Sequence, residues 1–388
     1  MTNQSSLGAR VGRGTILAGA LALLALGAGG AAAQSLPLYP LPDDDEREFW
    51  WYYQVQEEAP LKALQDIVGA PGVKMENPPT EPVKIVVIYP SLDVSDAWLR
   101  AYLAMEARLN EIGIPFDALQ LASDIGDHQI QTTYTDQVMH EDYDYVIFGP
   151  TELQIQAENM KALVDAGKKV IVLTYDQVLK SFGDNQPMLY TAFSHFAGSQ
   201  IMCDWVVNTL GTEGTYAMNR GVPGIVDDQR SGGFANCLAE KSNWKLAYEH
   251  YGNYQREGGT TGTQQIISAY PEVTLIHNAN TAMAMGALSA VQAMDAQDKV
   301  MVTGWGGTGE ELEALLLGEL RATPMRMSDD IGVSMAEAIR FDLEGRGDEL
   351  PLVFVGRITI ASGDMPKEQI HAMREEAFRY TGVALLER

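Results

Sequence analysis

Gly304, Gly306 and Gly309 fall between an apolar run and an amphipathic stretch. Their G-x-G-x-x-G spacing is the one with which a strand-to-helix turn cradles a dinucleotide pyrophosphate. Taken alone, the segment describes an exported NAD-dependent oxidoreductase, but its surroundings argue against that. Dinucleotide folds use the motif in their first β-α turn, whereas here it follows most of the strand-like runs. Trp305 also stands where the pyrophosphate would lie. No Gly-x-Ser-x-Gly occurs, and the six histidines keep no catalytic spacing. Neither catalysis nor a bound cofactor is expected.

Capture of a small ligand fits better. Ligands of open parallel sheets bind beyond the carboxyl ends of the strands. Residues expected at such ends are Asp93, Ser95 and Trp98, then Thr174 and Asp176, then Asp227, Asp228 and Arg230. Further along come His277, Asn278, Asn280 and Thr281, and finally Trp305 and Arg326. Indole faces stack on the C–H faces of sugar rings, and arginine forks pair with vicinal or anionic oxygens. Each residue has a plainer alternative: either Trp can be a packing residue, and Arg230 can pair with Asp227 or Asp228. Convergence from separate strand ends lifts the set above its members.

Holding those side chains together requires parallel sheets. Short β-branched runs at 84–89, 145–149, 169–174, 273–277 and 299–303 lack period-2 alternation, as strands buried on both faces do. Helical patterns lie between them at 96–112, 152–166, 196–210, 280–294 and 310–317. Repeated β-α units of this kind predict an α/β fold with helices on both faces of each sheet. The runs form two groups split near 188–193, and 388 residues are too many for one ordinary domain. A helix from Ser328 to Gly345, a strand over 353–360 and a helix over 366–380 close the chain.

Arg10 and Arg13 precede an apolar run and an Ala31-Ala32-Ala33 site, the pattern of a signal peptide over 1–33, so a periplasmic location is expected. Without those two arginines the charge is 25 − 52 = −27. Such acidity argues against nucleic acid and anionic membrane surfaces as partners. An acidic, Pro-rich extension over 34–82 carries the aromatic cluster Phe49 to Tyr53 and is predicted to form a helix over 44–68. Cys203 and Cys237 suit either one disulfide or two buried thiols, and no metal site is expected.

YPSLDVSDAWLR (89–100), DDQRSGGF (227–234), the GWGG turn (304–307) and MRMSDDIGVSMAEAIRFDLE (325–344) together resemble the LuxP-type periplasmic autoinducer-2 receptors. That family lies within the ribose-binding-like type I periplasmic binding proteins. The resemblance runs through the whole mature chain to the ending AFRYTG. It implies two Rossmann-like lobes joined by a three-crossing hinge, closing on a furanose-like ligand held as a borate diester. The first lobe is then 83–190 plus 328–352, and the second 191–327 plus 353–388. Implied ligand contacts fall on Ser95, Trp98, Arg230, Thr281, Trp305 and Arg326. Three positions depart from the family: Asp93 replaces a glutamine, Thr174 an asparagine and Ala282 an aspartate. The implied partner is a membrane sensor kinase. The retained arginines favour that role, whereas Asp93 and Ala282 favour an ABC permease and a pentose or polyol instead.

Overall fold

A computed structural model describes residues 47–90, 96–124, 127–153 and 155–382. The expected signal peptide, Asp93 and Ser95 lie outside the described residues. From the amino end the strands are β1 (Phe49–Trp51), β2 (Val83–Pro90), β3 (Phe116–Ser123), β4 (Tyr145–Phe148), β5 (Lys169–Leu173), β6 (Gln177–Leu179) and β7 (Leu189–Ala192). Then come β8 (Thr215–Arg220), β9 (Lys245–Tyr251), β10 (Leu275–Asn278), β11 (Met301–Thr303), β12 (Ala322–Arg326), β13 (Val353–Val355) and β14 (Ile358–Ser362).

One sheet runs in the order 13-7-5-4-2-3 and is parallel throughout. The other runs 14-12-11-10-8-9 and is parallel except for β14. Helices connect successive strands in both, so the expected pair of α/β lobes is present. Ile85, Val86, Val87 and Ile88 are no more than 1% exposed, which is why their run shows no alternation.

The segment expected as a helix over 44–68 begins instead as a strand, with β1 pairing antiparallel to β6. The aromatic residues favour that extended pairing, and the helix proper is Glu58–Gly69. Phe49 and Trp51 pack into the first-lobe core. Gln56 behaves like one rung of a strand against β13: its Nε2 donates to Val353 O at 2.9 Å, and Val353 N donates back to Oε1 at 2.7 Å. Gln65 Nε2 donates to Val355 O at 2.8 Å. The extension thus covers an edge that would otherwise be open to pairing.

The chain passes between lobes at 192–195, 326–329 and 355–358. One expected boundary moves. Val353–Val355 pairs with β7 in the first lobe, and only Ile358–Ser362 pairs with β12 in the second. The cause is visible in the backbone. Gly356 N donates to Ala192 O at 2.8 Å, whereas the next carbonyl, Arg357 O, accepts from Met327 N at 2.9 Å. Consecutive residues are therefore bonded to two different crossings, and no single strand can span them.

A fourth segment also crosses. Helix Lys367–Ala377 and Phe378 pack in the second-lobe core. The residues that follow bind the first lobe: Arg108 Nη1 donates to Tyr380 Oη at 2.6 Å and Arg100 Nη1 to Thr381 Oγ1 at 2.7 Å.

Cys203 and Cys237 form a disulfide joining helices His195–Trp205 and Gly233–Lys241. They are 34 residues apart, and the chain-entropy account of such a loop gives about 3–4 kcal/mol. Denaturant titration of the Cys203→Ala/Cys237→Ala variant is expected to show a loss of that size.

Candidate functional site

The loop after β11 owes its shape to one carboxylate. Thr308 and Glu311 form a capping box at the start of helix Gly309–Leu317. Glu311 is fully buried and accepts from Trp305 N at 3.0 Å, Gly307 N at 2.6 Å and Thr323 Oγ1 at 2.9 Å. A pyrophosphate would need those same backbone N–H groups. Because Glu311 already fills the place, the glycine spacing is not a nucleotide cradle. Gly307 has φ +66°, and a Cβ there would stand 2.5 Å from Met325 Cα, so the turn admits glycine alone.

Held in this way, Trp305 lies 1% exposed with its indole Nε1 unpartnered. A Cβ on Gly198 would be 2.6 Å from the ring, so the helix behind it must present glycine. Arg230 lies over the indole face, its guanidinium carbon 4.0 Å from the ring centroid, and Arg326 is at 5.7 Å. His195 meets the ring edge-on at 5.2 Å.

His195 fixes Arg230. Its Nε2 donates to Thr174 O at 3.0 Å, which leaves Nδ1 to accept from Arg230 Nε at 3.4 Å. Both bonds suit one neutral tautomer. Burial, then the charges of Arg230 and Arg326, push the His195 imidazole well below its usual range. Thr174 adopts φ +79°, unusual for a β-branched residue, and so presents that carbonyl to the hinge. Arg230 Nη1 also donates to Ala279 O at 3.0 Å, and Arg326 Nε to Gly306 O at 3.1 Å. Burial and then Arg230 push the Arg326 guanidinium down to about 10. Among the described residues neither arginine forms an ion pair.

These side chains line a cavity of about 120 Å³. That is well under the roughly 300–1,000 Å³ of sites for drug-sized ligands, and it suits one small ring. Trp98 and Thr174 supply the first-lobe wall; Arg230, Asn280, Thr281, Trp305 and Arg326 supply the second. Trp98 stacks on Tyr89 with centroids 6.2 Å apart and planes 4° from parallel. Asn280 also caps helix Thr281–Ala293, its Oδ1 accepting from Met283 N at 3.0 Å.

Other sequence candidates lie elsewhere. Asp227 pairs with Arg220 at 2.6 Å, and Asp228 with the same residue at 3.4 Å, so neither serves Arg230. His277 is buried against Phe234 at 4.3 Å, with Nδ1 3.0 Å from Thr303 Oγ1. Asn278 bridges Asn219 and the Thr303 carbonyl. Asp176 is buried beside Gln177. Conversely, Glu152, Phe193, His195 and Tyr254 line the cavity without having been singled out. Tyr254 follows β9, whose polar sequence KLAYEHY carries no apolar run to mark a strand end.

Burial pushes the His277 imidazole down to about 3. Its contribution to stability is intact above pH 6.5 and is lost as pH falls toward 3, because the unfolded chain takes up the proton first. Asp176, pushed up to about 6 by burial, acts oppositely: its contribution is complete below 3.8 and lost as pH rises through 6. Urea titrations of His277→Gln are expected to show the acid-side slope flattened by up to roughly 1.4 kcal/mol per pH unit.

Two parallel α/β lobes, crossed repeatedly by the chain and closed over a cavity of aromatic and cationic residues, define a two-lobed capture protein. The chain belongs to the periplasmic binding protein domain family, whose profile matches residues 85–347. It is similar to the ribose import binding protein RbsB of Salmonella typhimurium, 27% identical over 201 residues, covering 52% of this chain and 66% of that protein. The chain therefore spans just under two thirds of that relative. The D-allose-binding periplasmic protein of Escherichia coli is 24% identical over 263 residues, covering 66% of this chain and 83% of its own length. In fold, the chain resembles the periplasmic binding protein component of the arabinose ABC transporter from Shewanella sp. ANA-3, bound to L-arabinofuranose. There the TM-score is 0.68 at 16% identity, covering 77% of this chain and 98% of the other.

Proposed function

We propose that this protein is a periplasmic receptor that closes over a small furanose-like or sugar-like ligand and presents the closed form to a membrane partner. The observation that carries the reading is the pair of buried guanidinium groups, Arg230 and Arg326, flanking Trp305 in the cavity wall. Two like charges held together are costly unless a ligand supplies oxygen or anionic charge between them. A ligand bridging both lobes binds the closed state more tightly and shifts the population toward it. No residue is assigned a catalytic role. Export by the signal peptide over 1–33 belongs to the same reading.

Within it, an autoinducer-2-like signal carried as a borate diester matches the cationic pair, and a sensor kinase is then the partner. The second reading is capture for an ABC importer of a pentose or polyol, supported by the import and transport roles named for the relatives. Native mass spectrometry of protein purified without denaturation, followed by calorimetry, separates the two. Borate-dependent binding of autoinducer-2 is expected, with a loss of about 100-fold or more in Arg230→Ala. Tight, borate-independent binding of D-ribose or L-arabinose would establish the import reading instead. Affinity for any of these ligands unaltered in Arg230→Ala would sink the site assignment.

A further inference from the structure

Glu152 follows β4 on the first-lobe wall of the cavity and is 9% exposed. One carboxylate oxygen is accounted for, since Oε2 accepts from Ile155 N at 2.9 Å. The other, Oε1, is buried and has no partner. It also reaches across the cleft: a Cβ on Gly224 of the second lobe would lie 3.3 Å from it.

A buried acceptor with no donor is costly, and more so when charged. Turning the backbone at Ile155 needs only Oε2, so that local task gives no reason for a second buried oxygen. The lining offers the complementary pattern elsewhere. Arg230 and Arg326 only donate, and the indole Nε1 of Trp305 is a donor without an acceptor. Glu152, in its ionised form, only accepts.

We infer that Glu152 Oε1 accepts a hydrogen bond from a hydroxyl of the ligand, which makes Glu152 a specificity-determining residue. The ligand class is then a polyol that turns an oxygen-rich or anionic edge to the two arginines and a free hydroxyl to Glu152. An analogue lacking that hydroxyl is rejected because it leaves the carboxylate buried and unpaired. This inference rests on the sugar-type reading of the cleft.

The test compares wild type with Glu152→Gln by calorimetry against D-ribose, L-arabinose and autoinducer-2 with and without borate. Melting of the unliganded proteins is recorded alongside. The amide preserves shape and the bond to Ile155 while removing a buried charge. Affinity for the bound probe is expected to fall at least tenfold, with the unliganded melting temperature unchanged or raised. Unchanged affinity in Glu152→Gln, whether or not its melting temperature drops, would overturn the role and leave the cleft reading standing. Failure of wild type to bind every probe would sink the cleft reading itself, and this inference with it.

Discussion

Alanine in place of Glu311 is expected to destabilise the protein by on the order of 5 kcal/mol and to abolish ligand binding. The substitution leaves the buried donor Trp305 N without its acceptor and reduces Gly307 N and Thr323 Oγ1 to their longer bonds, to Thr323 Oγ1 at 3.2 Å and Pro324 O at 3.4 Å. The orphaned donor costs about 1–3 kcal/mol, each weakened one adds a smaller share, and loss of the cap on helix Gly309–Leu317 adds about 1. Against a total stability of about 5–15 kcal/mol this is a large fraction. Denaturant titration reads the loss, and intrinsic tryptophan fluorescence reads the displacement of Trp305. Glu311→Gln retains one acceptor oxygen and is expected to fall between wild type and alanine. A Glu311→Ala protein of normal stability would mean that this loop is not held by its carboxylate.

Methionine at 326 is expected to do something less usual: raise the stability of the empty protein while reducing ligand affinity by about 100-fold or more. Arg326 is buried, and its guanidinium is pushed down to about 10 by burial and by Arg230. A depressed value for a cation means that the native state is disfavoured while the charge is present. Relieving it offsets loss of the bond to Gly306 O, leaving a net gain of roughly 1–2 kcal/mol. Binding loses because a buried charge that meets a ligand oxygen contributes strongly to the complex. Melting curves with and without ligand check both signs. A variant less stable and equally tight in binding would show that Arg326 serves packing alone.

Much of this was legible in the sequence where burial is symmetrical. The strands around Val86, Ile147 and Ile171 announce themselves because both of their faces are dry. β3 does not: Asp117, Leu119 and Gln120 are exposed on an edge strand, so no apolar run marks it. Trp305 was legible because it follows the recognised run at 299–303, whereas β8 and β12, which position Arg230 and Arg326, were not among the runs recognised. Tyr254 was hidden behind β9, and His195 sits at a crossing rather than at a strand end. Glu311 reads as an ordinary first-turn acid. Its role in closing the glycine loop depends on Thr323, which only the folded chain brings near.

Helix Asp329–Leu343, β13 and the residues around Tyr380 all complete the first lobe, yet they come after nearly the whole second lobe in the chain. The buried pair Arg108–Glu337, at 2.6 Å, joins residues 229 positions apart. As the chain emerges from its amino end, β7 has no neighbour on its β13 side and Arg108 has only Glu111, at 3.1 Å in its own helix, until Glu337 arrives with the last quarter. The first sheet waits from residue 192 for its sixth strand at 353–355, whereas the second waits only from residue 326 for β14 at 358–362. Contacts of such long separation close slowly, because loop entropy must be overcome before they form. The order of synthesis therefore leaves the first lobe unfinished through the making of nearly the whole second sheet, while the second waits only for β14 and the helix Lys367–Ala377.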